Sequence, residues 1–421
     1  MSRAILILGA SLDQLFMIES AHEMGLQTVV IDGNAKAPGL AKATWSKDID
    51  FSHIVEVIAY VDELIDDGVN LQGVATMGSD VPHLLAAISS YYGWPGPSVK
   101  TAAIATDKFL MKECFSEMGI AVPHYAEIKQ QNEINTCWQQ WGCSAVVIKP
   151  VSEAGSRGVR VIHEVEQIEP AYLAARSQSR NNRVILEEYI DGPQISTETI
   201  VYRDQYFHPG FADRVYEYQG NFFPNIMENG GWQPSQLSSK KREAICELIE
   251  LAAQAIGIHD GVMKGDCVWS EKYDKPMIIE VAARLSGGDF SASLVPLAHD
   301  VNYVKTVLAL SLGDEPDLKA LKPTREKVAA NRYFFLPEGT LQAIEGLDDA
   351  LLIPSVKKIE INYALGEQVV PLEHHGQRVG VFVVCDDDAH AVQAVIDHVY
   401  QILKFTVNGK VLSGDPRFYG G

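Results

Sequence analysis

Met277-Ile278-Ile279-Glu280-Val281-Ala282-Ala283-Arg284-Leu285-Ser286-Gly287-Gly288, read with the upstream run Gly265-Asp266-Cys267-Val268, decides how this sequence is interpreted. Each run is an apolar strand carrying a carboxylate, and two such strands lying side by side bring Asp266 and Glu280 together. Unpaired acids on buried strands are costly, so they require basic partners or a hard cation such as Mg2+, which takes a few carboxylates plus substrate phosphates. The pattern favours the cation. Just beyond it, Arg284 is suited to neutralising a transferring phosphoryl group, and the amides of Gly287 and Gly288 to holding a carboxylate or a developing oxyanion. Taken alone, Arg284 serves equally well as a structural ion-pair partner.

Two earlier stretches add to this. The strand Val146-Val147-Ile148-Lys149-Pro150 runs into the small-residue loop 151–159, in which Ser152, Gly155 and Ser156 let backbone amides fold over phosphate oxygens while Lys149 supplies a compact positive charge. A plain hairpin also fits that loop. Next, Val184-Ile185-Leu186-Glu187-Glu188-Tyr189-Ile190 is an apolar strand leading to two acids and an aromatic. Such a hinge can offer main-chain groups to a heterocycle edge while apolar side chains cover its face. By itself it is equally a strand with exposed acids before a turn.

The flanks organise the rest. Residues 4–8 form a continuous apolar run, a helix is expected over about 13–25, and 27–32 is a second buried strand, making a βαβ unit. Further strands are expected at 54–57 and 73–77, giving a small doubly wound domain over 1–97. The dinucleotide fingerprint needs three glycines at fixed spacing, and only Gly9 is present, so an NAD site is rejected. Helical periodicity follows over 99–123. Short strands at 145–149, 159–162, 184–187, 195–201, 266–269 and 277–280 then compose an α+β block over 98–320, with a flap-bearing part at about 123–192. Strands at 329–335 and 378–385 and a helix at 389–403 form a small α+β domain over 321–421. The segment 208–236, rich in glycine and aromatics, places Arg214 and Glu228 where a substrate's charged ends could be met; a long hairpin with a solvated arginine fits as well.

Composition bounds the function. With 35 basic against 55 acidic residues, the charge of -20 disfavours nucleic acid and anionic membrane surfaces as partners. No stretch approaches the roughly 20 apolar residues that span a bilayer. The six cysteines lack the paired short spacings of zinc sites or disulfide frameworks, which fits a reducing compartment, and the cytoplasm is the expected location.

In their order along the chain, Lys108, Lys149 with its loop, Glu187 to Ile190, Glu198, Asp266, Glu280 and Arg284 resemble the ATP-grasp superfamily, over about residues 1–415. The resemblance implies an ATP-grasp fold with an N-terminal Rossmann-like domain and a small C-terminal α+β domain. It places ATP phosphates on Lys108 and Lys149 under a flap at 152–159, adenine against the backbone of Glu188 and Ile190 beside Tyr189, and Glu187 and Glu198 near the base amino group or ribose. It places Mg2+, one ion or two and replaceable by Mn2+, on Asp266 and Glu280, and the acyl phosphate beside Arg284, with Ser286 and the Gly287-Gly288 turn near the substrate. Many relatives have asparagine where this chain has Ala282, which leaves the ion count open. The runs 264–266 and 282–288 look most like the branch containing L-amino acid ligases. The implied reaction joins a small-molecule carboxylate to an amine through an acyl phosphate, releasing ADP and phosphate. The alternatives are a biotin-carboxylase-like or formate-using enzyme and a non-catalytic nucleotide-binding protein. A homodimer is the commonest assembly for such a protein.

Overall fold

The computed structural model describes residues 2–419 and contains four sheets. Arg3–Leu8 is buried from Ala4 onward and pairs in parallel with Gln27–Asp32 on one side and Asn70–Thr76 on the other. Trp45–Asp48 adds a parallel edge strand beyond Gln27–Asp32. Apolar runs of this kind suit a parallel sheet covered on both faces, and the turn at Gly9 carries the first strand into the helix Leu12–Glu23.

One expectation fails here. Residues 54–57 open the helix Ile54–Asp66 instead of forming a strand, since Val57, Val61 and Leu64 are buried at helical spacing while Val55 is 78% exposed. The fourth strand is Trp45–Asp48, whose largely exposed Trp-Ser-Lys-Asp sequence carries no apolar run.

A second sheet is antiparallel, with Val184–Glu188 between Tyr125–Ile128 and Val146–Pro150, and Arg160–Ile162 at its edge. The loop 151–159 joins its last two strands.

The largest sheet has eight strands, in the order Lys275–Ala282, Gly261–Ser270, Gln194–Tyr202, Gln205–Val215, Gly230–Gln233, Val328–Phe334, Gly380–Asp386 and Val356–Ile361. Much of 208–236 is therefore strand. The helix Ser239–Ile256 packs Ile245, Ile249, Ala252 and Ala253 on one face of this sheet, against Ile195, Met263, Cys267, Ile278 and Val281. Helix and sheet approach closely at Gly265, where a Cβ would lie 2.2 Å from Ile249 Cδ1. A fourth sheet, Gln368–Val369, Gly339–Glu345, Lys404–Val407 and Lys410–Leu412, completes the C-terminal part with the helix Ala389–Ile402. Among the described residues, no helix is long and apolar enough to cross a membrane.

Candidate active site

Strand register alone assembles most of the site. In an antiparallel sheet directly opposed residues share a face, as do residues two apart on one strand. Asp266 lies opposite Glu280 on one side and Ser196 on the other, and Lys264 lies opposite Ala282 and Glu198. The next strand continues the row, pairing Gly210 with Glu198 and Ala212 with Ser196, and sets Arg214 opposite Gln194. Arg214 in turn faces Gly231, which faces Asn331. Glu280, Asp266, Ser196, Glu198, Lys264, Arg214 and Asn331 thus occupy one face, opposite the core under Ser239–Ile256. A cavity of about 450 Å3 opens over that face, roofed by the flap residues 152–157 and lined by Lys108, Lys149, Glu187 to Ile190, Arg284 and Ser286 to Gly288.

Its charges are paired in a defined pattern. Lys149 Nζ lies 2.9 Å from Glu187 Oε2, both buried, because Val147 opposes Glu187 and so puts Lys149 on the same face. Lys112 Nζ, wholly buried, stands 3.6 Å from the same oxygen. Burial works to raise the Glu187 carboxyl, but the ammonium groups of Lys112 and Lys149 outweigh it and hold it below the ordinary range. Lys108 Nζ lies 3.3 Å from Glu280 Oε2 and donates to the flap carbonyl of Glu153 at 2.7 Å. At Glu280 too, burial would raise the carboxyl, and Lys108, Lys264, Lys149 and Arg214 together depress it well below its usual value.

Asp266 is fully engaged. Ser196 Oγ donates to its Oδ1 at 2.9 Å, Arg214 lies 3.0 Å from Oδ2, and Lys264 pairs with the same oxygen. Arg214 also grips Glu228, Nε to Oε2 at 2.7 Å, so these two residues of the cavity lining pair with each other. Arg284 is held by Asp80, Nε to Oδ1 at 2.7 Å, and by the carbonyl of Leu285 at 2.9 Å. The turn after it is tied to the N-terminal part: Gly288, at φ +64°, points its amide at Asp13, 3.3 Å away. Glu198 is completely buried and its Oε1 accepts the Ser286 amide at 2.9 Å, which joins it to that same turn; burial pushes its carboxyl up to about 7.

On the hinge, the Glu188 carboxylate is taken by Lys272 at 2.8 Å and by the Tyr273 hydroxyl at 3.0 Å, and its amide donates to the His124 carbonyl at 2.8 Å. Ile190 packs with Val268, Met277 and Ile279 as an apolar wall. The flap tip is docked on the C-terminal part: the His375 amide donates to the Gly155 carbonyl at 3.0 Å, and its Nε2 lies 3.1 Å from Ser156 Oγ. Several buried polar atoms lining this region lack a protein partner, among them Ser152 Oγ on the flap and Ser286 Oγ on the turn. Such atoms are where a bound polar ligand completes the hydrogen bonding.

Sequence reasoning did not single out Asp13, Asp80, Lys112 or His375. Lys112 had a readable signal, four residues after Lys108 and so on the same face of the helix Lys108–Glu117. The others come from distant segments and have no local pattern.

Residues 105–288 match the family description "ATP-grasp domain", and residues 332–408 match "L-amino acid ligase C-terminal domain 2". The chain is an ATP-grasp ligase. The L-arginine-specific L-amino acid ligase of Bacillus subtilis is 22% identical over 324 residues, covering 75% of each chain. The crystal structure of L-amino acid ligase from Bacillus licheniformis superposes with a TM-score of 0.82 at 19% identity, over 96% of this chain and 98% of that one. N5-carboxyaminoimidazole ribonucleotide synthetase from Thermotoga maritima shares the fold at a TM-score of 0.70 and 17% identity, over 97% of this chain and 99% of that one. The ligase is of the carboxylate-amine kind, forming a C–N bond at the expense of ATP.

Proposed function

We propose that this ATP-grasp ligase joins two amino acids, or an amino acid and a similar small acid, through an acyl phosphate held beneath the flap. The observation that carries the reading is the convergence of Lys108, Lys149, Asp266, Glu280 and Arg284 on one cavity from distant parts of the chain. The C-terminal match to the L-amino acid ligases supports the choice of substrate class.

Lys149 and Lys108 bind the nucleotide phosphates, each already oriented by a carboxylate, so little reorganisation accompanies binding. The flap supplies Ser152 Oγ and the backbone around Gly155 as further donors. Ile190 and Ile279, backed by Met277, cover the adenine, whose edge meets the hinge backbone at Glu188 and Ile190. Among the described residues, no three acidic, histidine or cysteine side chains form a metal cage. A divalent cation held by Glu280, with Asp266 opposite, would share its remaining positions with phosphate oxygens and water, the arrangement Mg2+ favours. When bound, it supplies charge neutralisation at the reacting phosphates.

Arg284, fixed by Asp80, steadies the acyl phosphate and the charge moving onto it. The Ser286 hydroxyl and the Gly287 amide hold the carboxylate end and the oxyanion formed as the amine attacks, while the Gly288 amide, turned to Asp13, fixes the turn. The Arg214–Glu228 ion pair lies in the cavity lining, where one partner meets a charged end of the substrate. The docked flap excludes water, which would otherwise hydrolyse the acyl phosphate. The unpaired thiols fit a reducing cytoplasm.

The test is phosphate release by purified protein with Mg2+, ATP and amino acids offered singly and in pairs. Release that requires a pair, with the matching dipeptide found by mass spectrometry, supports the reading. Release driven by bicarbonate or formate and a single amine would replace it.

A further inference from the structure

The two strands that carry the site acids are out of phase with each other. Asp266 pairs with Glu280 but Cys267 pairs with Ile278, so Ile279 is an extra residue with nothing opposite it, a β-bulge. The side chains record the phase change. Ile278 and Val281, three apart, both enter the core under the helix Ser239–Ile256, while the adjacent Ile279 and Glu280 both line the cavity. In a regular strand of period two, Glu280 would share the face of Ile278 and point into that core. The bulge is therefore what delivers Glu280 to the cavity.

Lys112 holds the bulge. Its ammonium donates to the carbonyls of Ile278, at 2.8 Å, and of Ile279, at 2.7 Å. Successive carbonyls of a regular strand point to opposite sides, so only a bulged backbone can turn both toward one donor. Neighbouring atoms bind the same stretch: the Ala121 carbonyl accepts the Ile278 amide at 2.9 Å, and Met111 Sδ lies 3.4 Å from the Val281 amide. Lys112 is wholly buried and does not line the cavity, so it touches no substrate.

We infer that Lys112 is a positioning residue: by propping the bulge at Ile279 it sets the Glu280 carboxylate opposite Asp266, where a divalent cation is taken. The inference rests on the proposed role of Glu280 in holding that cation. Lys112→Met fills the same space without donors, and Lys112→Gln keeps a shorter, uncharged donor. The experiment measures Mn2+ binding by electron paramagnetic resonance in the presence of ADP, ADP binding without metal, and thermal unfolding, for both variants and for Glu280→Gln.

The expected result is Mn2+ binding about tenfold or more weaker in Lys112→Met, a smaller loss in Lys112→Gln, and metal-free ADP affinity within about threefold of wild type. A merely structural lysine would lower the unfolding temperature and leave Mn2+ affinity unchanged in whichever variant folds, which overturns the inference. If neither variant folds while Glu280→Gln does, the lysine is a folding determinant and the positioning role is likewise rejected. Unaltered Mn2+ binding in Glu280→Gln would instead remove the proposed metal site itself.

Discussion

Glu187→Gln tests how the phosphate-binding end of the cavity is held together. The substitution keeps the shape of the side chain and removes one charge from between two lysines, Lys149 at 2.9 Å and the wholly buried Lys112 at 3.6 Å. At an effective dielectric constant of about 20, charges at these separations attract by roughly 6 and 5 kcal/mol respectively. The cost of taking three charged groups out of water offsets much of that attraction, but the variant still bears the desolvation of both lysines. Removing one partner of a buried ion pair costs about 3 to 5 kcal/mol for that reason. In a cooperative unit of roughly 150–250 residues this lowers the unfolding midpoint by about 6 to 20 °C. The assay is thermal unfolding of both proteins between pH 8 and pH 3. The folded carboxyl of Glu187 lies below its unfolded value, so its contribution is full above the unfolded value and lost as pH falls through the folded one. The two melting curves must converge on acidification. A loss under about 1 kcal/mol at pH 8, or a gap that persists into acid, would refute the account of Glu187 as the carboxylate that offsets both lysines.

Arg284→Ala should lower kcat about 100- to 1000-fold in phosphate release while leaving the KM for ATP within a few-fold, the magnitude of losing one donor at developing charge; an equal loss through KM alone would move Arg284 out of the chemical step. Glu198 is buried with its carboxyl raised to about 7, so its contribution to stability falls as pH rises from its unfolded value through 7. Glu198→Gln should accordingly melt above wild type at pH 8 and lose that advantage at pH 5, and an advantage of the same size at both values would contradict the assignment. Ala282→Asn adds an oxygen two residues past Glu280 and should reduce the Mg2+ concentration for half-maximal phosphate release by about tenfold or more, the scale on which ligand-shell changes alter metal affinity; an unchanged requirement would place residue 282 away from the cation.

Much of this arrangement was legible in the amino-acid order, because the acids and lysines sit at the ends of apolar strands whose alternation fixes their face. Lys149 and Asp266 could be found that way. What the strands do to one another could not. The bulge at Ile279 leaves no mark in an unbroken run of apolar residues, so period two alone would have turned Glu280 inward with Ile278. Residues 54–57 were misread for a related reason: four residues too short to separate helix from strand by pattern acquire their helical character only from Val61 and Leu64 further on. Asp80, Asp13 and His375 are invisible locally, since their partners Arg284, Gly288 and the flap lie 204, 275 and more than 200 residues away. Tertiary pairing defines these groups.

The four-residue strand Gly230–Gln233 hydrogen-bonds to Gln205–Val215 on one edge and to Val328–Phe334 on the other. It works as a seam. The C-terminal part is stitched into the catalytic sheet along that seam, and excising it would strip one edge of a short strand of its ladder and leave a raw β-edge open to pairing with other chains. Transplanting this portion between relatives should thus succeed only when the seam travels with it, which makes the strand, and not any loop after residue 320, the natural joint for building chimaeras.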